Sequence, residues 1–91
     1  MKVIFGPRFI KAYSKLPKPI KNLFDDKHFQ FLDNWRHLSF RIHKLGGTNV
    51  YSASLNMNIR FAFSFEQDAE GNVFCLLRNI GGHEHTMRPP Y

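Results

Sequence analysis

Two arginines and a scatter of histidines, with few carboxylates near them, define the chemistry open to this sequence. Arg60 lies in residues 58–65 (NIRFAFSF), where Ile59, Phe61, Phe63 and Phe65 alternate with Arg60, Ala62 and Ser64. So strict an alternation is that of a half-buried β-strand: one face rests on a core, and the other carries a single guanidinium flanked by small side chains. Arg78 closes the apolar run that starts at Val73. Arg41, His43 and Lys44 precede a Leu-Gly-Gly turn, and His83 and His85 follow Gly81 and Gly82. Brought together on the uncovered face of a sheet, these groups suit a phosphodiester. Guanidiniums bind phosphate and the added charge of its transition state, while imidazoles move protons near neutral pH. In RNA the ribose 2′-hydroxyl is already the nucleophile, so the inventory requires no metal and no cofactor.

Plainer readings exist for each group. Arg78 could form an exposed ion pair with Glu66 or Glu84, worth under about 1 kcal/mol. His83 and His85, two residues apart, could bind zinc with His43 or Cys75, although there is no second thiol and the neighbours of Cys75 are apolar. Glu84 could be a base or a solvated loop carboxylate. His28 and His37 read as surface or helix-end residues, and the Phe and Tyr stripes as core.

Several elements must position the candidate groups. Lys2, Val3, Ile4 and Phe5 read as a first strand, ended by Gly6 and Pro7, with Pro7 at the first position of a helix. Phe9, Tyr13 and Leu16 follow at i, i+4 and i+7. Pro17 and Pro19 separate that helix from a second one, whose apolar stripe runs through Ile20, Leu23, Phe24, Phe31 and Leu32 to an end near Asp33 and Asn34. Residues 40–45 allow a weak strand and residues 50–55 a clearer one; residues 56–58 turn into the strand of Arg60. Residues 66–72 form a polar hairpin loop, and residues 73–77 are apolar on both faces, as in an interior strand. From Gly81 onward, glycine and proline predict an irregular tail. The expected fold is α+β in two layers: an N-terminal strand and a helical hairpin packed on a twisted antiparallel sheet, in the order β-α-α-β-β-β.

The chain of 91 residues suffices for one small domain over residues 1–91. Its ten Phe, three Tyr and one Trp bury enough area to fold without disulfides or a structural metal. A lone Cys75 and the want of any secretory signal or long apolar run predict a soluble, cytoplasmic protein with no membrane partner. Charge is unevenly placed: residues 1–45 carry ten Lys and Arg against three acids, whereas residues 46–91 carry three against four. The basic half predicts a polyanionic partner or an acidic protein that covers it.

Four segments, in order, resemble the RelE/ParE superfamily of bacterial toxins, and its YafQ-like branch in particular: residues 9–17 (FIKAYSKLP), 37–47 (HLSFRIHKLGG), 58–60 (NIR) and 78–83 (RNIGGH). The resemblance covers nearly the whole chain. It implies a RelE-like fold and a metal-independent endoribonuclease that cuts messenger RNA in the ribosomal A site, leaving a 2′,3′-cyclic phosphate or 3′-phosphate and a 5′-hydroxyl. It also implies a cognate antitoxin that wraps the chain, with the toxin alone a monomer. His43 then matches a general base or phosphate ligand, Arg60 the arginine that stabilises the transition state, and His83 the acid that protonates the leaving 5′-oxygen. Arg41, Lys44, Arg78 and His85 are assigned to RNA or phosphate binding. Asn58 stands where many relatives have Asp, and Met87 where they have a base-stacking aromatic residue, a place Tyr91 could take. The superfamily also holds gyrase-directed inhibitors that lack the nuclease residues. A non-catalytic inhibitor of that kind, or an inert antitoxin-binding module, is the alternative.

Overall fold

The computed structural model describes residues 2–37, 40–82, 86 and 91. Its elements are β1 (Lys2–Phe5), α1 (Pro7–Ser14), α2 (Lys18–Asp33), β2 (His43–Lys44), β3 (Val50–Ser54), β4 (Ile59–Gln67) and β5 (Val73–Gly82). They form the expected α+β arrangement, with a mixed five-stranded sheet in the order β1-β5-β4-β3-β2. The strand of Arg60 is therefore its central strand. β1 lies at the edge and runs parallel to β5, a pairing that no local signal specifies; the other strand pairs are antiparallel.

Proline starts both helices as the sequence predicts. Pro7 occupies the first turn of α1 and Pro19 that of α2. Gly6, between β1 and α1, is required by close approach. Its N–H donates to the Leu77 carbonyl at 2.8 Å, and a Cβ there would stand 3.0 Å from that same oxygen.

Along β4 the alternation does what it promises. Phe61 and Phe63 face the helices, where Phe31 meets them edge-to-face at 5.0 and 4.8 Å and Phe24 meets Phe61 at 5.7 Å. Phe9, Leu55, Leu77 and Ile80 complete this core. Cys75 lies within it, and burial pushes its thiol up to about 12. Trp35, at 5.0 Å from Phe65 and 5.7 Å from Tyr51, closes one end.

β5 departs from the sequence reading. It continues through Gly81 and Gly82, where the sequence predicts irregular chain, because Arg60 and Ile59 of β4 pair with them. Ala62 pairs with Asn79 but Phe63 with Leu77, so Arg78 is the extra residue of a β-bulge and sits inside the strand, not at its end.

The candidate phosphate site

On the face that the helices leave free, cross-strand register sets out the floor. One row is His43, Ser52, Ala62 and Asn79; the next is Ser54, Arg60 and Gly81. Residues directly opposite one another share a face, so His43 lies on the same face as Ser52 and Arg60. Gly81 opposite Arg60 and Ala62 beyond it contribute almost no side-chain bulk beside the guanidinium.

Arg60 is held along one side. Its Nε donates to the Ser52 hydroxyl at 2.7 Å, and its Nη2 donates to the Ser52 carbonyl at 3.1 Å and the Arg41 carbonyl at 2.8 Å. A guanidinium has five N–H donors in a fixed fork. Among the described residues nothing accepts from the two N–H of Nη1, which remain for an incoming oxygen. Arg41 supports this grip in an unusual backbone conformation, with φ of 46°. Burial, and then the charge of Arg41, lower the pKa of Arg60. The group stays protonated at any physiological pH, but its charge is poorly compensated, the condition in which an anion is most welcome.

Not all of the expected groups share this point. Lys44 is exposed, and its register places it opposite Tyr51, whose ring packs into the helix-side core. Since side chains alternate between faces, the expectation that Lys44 joins Arg60 is corrected. The expected convergence of Arg78 with Arg60 is also corrected. Arg78 reaches toward Ser64, donating from Nη1 to its hydroxyl at 3.3 Å, while Nε and Nη2 donate to the main-chain oxygen of Tyr91 at 3.2 and 2.9 Å. Ser64 is four residues from Arg60 along β4, about 13 Å at the rise of a strand. Arg60 is moreover drawn the other way, toward β3. His83 and His85 lie outside the described residues, as do Glu84 and Met87.

The uncovered floor proves to be buried. Ser52, Ala62 and Ser64 are each 0 % exposed, and Leu45, Val50, Ala62 and Tyr91 form a small second apolar cluster there. No described buried side-chain N or O atom lacks a hydrogen-bond partner. Among the described residues, no group of three or more His, Cys, Asp or Glu is placed to hold a metal ion. Ser52, which holds Arg60, is the residue that reading for chemistry overlooked; its signal was a serine on the polar side of the alternation in residues 50–55.

Comparison with solved structures places this arrangement. A YoeB/ParE toxin from Agrobacterium tumefaciens superposes with a TM-score of 0.70 over 91% of this chain and 99% of its own, at 11% identity. YafQ in the E. coli DinJ-YafQ toxin-antitoxin complex gives 0.70 over 92% and 93%, at 12% identity. The archaeal RelE-RelB complex of Pyrococcus horikoshii gives 0.67 over 89% and 92%, at 20% identity. The chain has the RelE/ParE toxin fold. Sequence comparison yields no matching family model and no matching curated relative. What relates this chain to RelE, YafQ and YoeB is thus the course of its backbone, with little sequence identity. Among the described residues, no helix of this RelE-like chain is long and apolar enough to cross a membrane.

Proposed function

We propose that the chain is the toxin of a type II toxin–antitoxin system and a metal-independent endoribonuclease acting on messenger RNA in the ribosomal A site. The observation that carries this reading is the Arg60 guanidinium, fixed by three hydrogen bonds on one side and offering Nη1 on the other. Catalysis here is positioning and charge. The 2′-oxygen attacks the adjacent phosphorus, the bond from phosphorus to the 5′-oxygen breaks, and a 2′,3′-cyclic phosphate and a 5′-hydroxyl result. Arg60 stabilises the extra negative charge on the phosphoryl oxygens. His43, on the same face, takes the 2′-hydroxyl proton or binds the phosphate. His83 delivers the proton that the leaving 5′-oxygen needs, and His85 and Arg41 contact the phosphate backbone. Arg78 contacts a different phosphate of the same strand.

A protein partner fits this reading as well. Phe5, Ile10 and Phe29 are 42 %, 56 % and 67 % exposed, and the first two line an apolar cleft of about 320 Å³ with Phe9, Tyr13 and Phe24. A surface of that kind is usually covered, and the antitoxin is the partner that would cover it while the chain is held inactive.

The test is expression of the wild-type chain and Arg60→Ala in cells, with transcript ends mapped. The wild type is expected to arrest growth and leave 5′-hydroxyl ends in messenger RNA. Arg60→Ala should accumulate as folded protein without either effect. Intact transcripts with broken DNA in wild-type cells would point to a gyrase-directed inhibitor and overturn the nuclease.

A further inference from the structure

Away from Arg60, α1 presents a second concentration of positive charge. Arg8 and Lys11 of α1 and Lys15 just after it fall at i, i+3 and i+7, on one side of the helix. They line a groove of about 400 Å³ whose opposite wall is β5 at Asn79, Ile80 and Gly81. Among the described residues, no Asp or Glu lines it. Arg8 also lines the adjoining cleft of about 190 Å³, which it shares with Arg78 and Tyr91. The two clefts therefore make one basic track. It runs from Lys15 along α1 and past the outer edge of β5 to Arg78, on the sheet face that also carries Arg60.

The walls indicate what such a track accepts. A peptide adding to the sheet would need the outer edge of β5, yet the Ile80 N–H already donates to the Asn79 side-chain oxygen at 3.0 Å. The Gly82 carbonyl likewise accepts from the Thr86 hydroxyl at 3.2 Å. Among the described residues no aromatic side chain lines the α1 groove, so they offer bases no stacking platform. Closely spaced cations facing a wall on which no described Asp or Glu stands match a phosphate backbone. From Arg8 to Lys15 the helix rises about 10 Å, the length of roughly three phosphates in a stacked strand.

We infer that the groove between α1 and β5 is a sequence-independent phosphate-backbone site, which holds the single-stranded RNA continuing from the bond cut at Arg60. The inference rests on the proposed nuclease for its substrate, but the site is separate from the catalytic one. Arg60 acts on one phosphate, and Arg8, Lys11 and Lys15 grip about three others.

The experiment measures binding of the full chain to a fully 2′-O-methylated single-stranded RNA, which lacks the nucleophile, by fluorescence anisotropy across a range of salt concentrations. Wild type is compared with Lys11→Gln/Lys15→Gln, whose folding is verified by circular dichroism. Removing two phosphate contacts should reduce the slope of log affinity against log salt by about 1.4 and weaken binding severalfold or more at low salt. An unchanged slope in the folded double variant would overturn the inference. So would displacement of the RNA from the wild type, but not from the variant, by an oligoglutamate peptide at equal charge concentration, since the groove would then be an acidic-peptide site. Failure of the nuclease reading shows separately, as intact transcripts in cells expressing the wild type.

Discussion

The two faces of this sheet are made by the same strands under opposite constraints. Toward the helices, β4 contributes Phe61 and Phe63 to a set of interlocked rings in which volume and shape matter and no polar group is needed. One residue away, on the other face, Arg60, Ala62 and Ser64 meet Ser52 and Gly81, where a charge is held in place and bulk would obstruct it. The second face is as deeply buried at Ser52, Ala62 and Ser64 as the first, yet α1 and α2 do not cover it, and among the described residues Leu45, Val50 and Tyr91 pack there. In a strand with period two, stability and chemistry can thus be assigned to alternate residues, so neighbouring substitutions should fail in different ways.

The largest effect should come from the helix-covered face. Phe63→Ala removes a ring in contact with Phe31, Trp35 and Tyr51. It should cost about 3–5 kcal/mol, a large part of the roughly 5–13 kcal/mol available to a domain of this size. The urea midpoint should fall accordingly, and growth arrest should disappear because the protein is unfolded or degraded. Arg60→Lys should do the reverse. Lysine keeps the charge but not the fork that reaches Ser52 and Arg41 while leaving two N–H free. RNA cleavage should fall by about 10²–10³, with a urea midpoint close to that of the wild type. If Arg60→Lys unfolds the chain as Phe63→Ala does, Arg60 serves the fold and the contrast between faces collapses.

Much of this contrast was legible in the sequence. Alternation over residues 59–65 fixed the two faces, and Pro7 and Pro19 marked the starts of both helices, because these features depend on neighbours along the chain. What escaped depends on neighbours across it. The parallel place of β1 against β5 requires a partner more than 70 residues away in sequence. β2 has only two residues, so its period could not decide between His43 and Lys44, and pairing with Ser52 and Tyr51 did. The bulge at Arg78 breaks alternation within an apolar run that showed none to begin with. Gly81 and Gly82 discourage a strand locally, but β4 is long enough to impose one.

A smaller effect would sharpen the role of the polar floor. Ser52→Ala removes the acceptor for the Arg60 Nε in a part-buried place, at a stability cost of about 1 kcal/mol. Ser52 is a positioning residue, so the expectation is a drop of roughly tenfold in kcat with KM unchanged, and recovery in Ser52→Thr, which keeps the hydroxyl. Equal losses in Ser52→Ala and Ser52→Thr would mean that packing at this position matters and the hydrogen bond does not.

The smallest effect lies outside both faces, on the solvent side of the helical layer, where a hydrogen bond neither seals a core nor aims a charge. Tyr13 donates its phenol proton to the Asp25 carboxylate at 2.6 Å. That bond first, then burial and the charge of Asp25, raise the phenol pKa to about 12 from its ordinary value of 10.0. The folded chain therefore holds this proton more tightly than the unfolded chain. The stabilisation is complete below pH 10 and is lost as pH rises from about 10 through about 12. Tyr13→Phe cannot lose it. Lysines titrate over the same range in both proteins, so the informative quantity is the difference between the two urea midpoints as a function of pH. That difference should be small and constant up to pH 9 and shrink toward zero by pH 12, with RNA cleavage at neutral pH unaltered. Midpoints that stay parallel to pH 12 would show that Asp25 does not hold the proton. A loss of cleavage in Tyr13→Phe would extend the chemistry of the helix-free face to the helical layer and remove the separation on which the comparison stands.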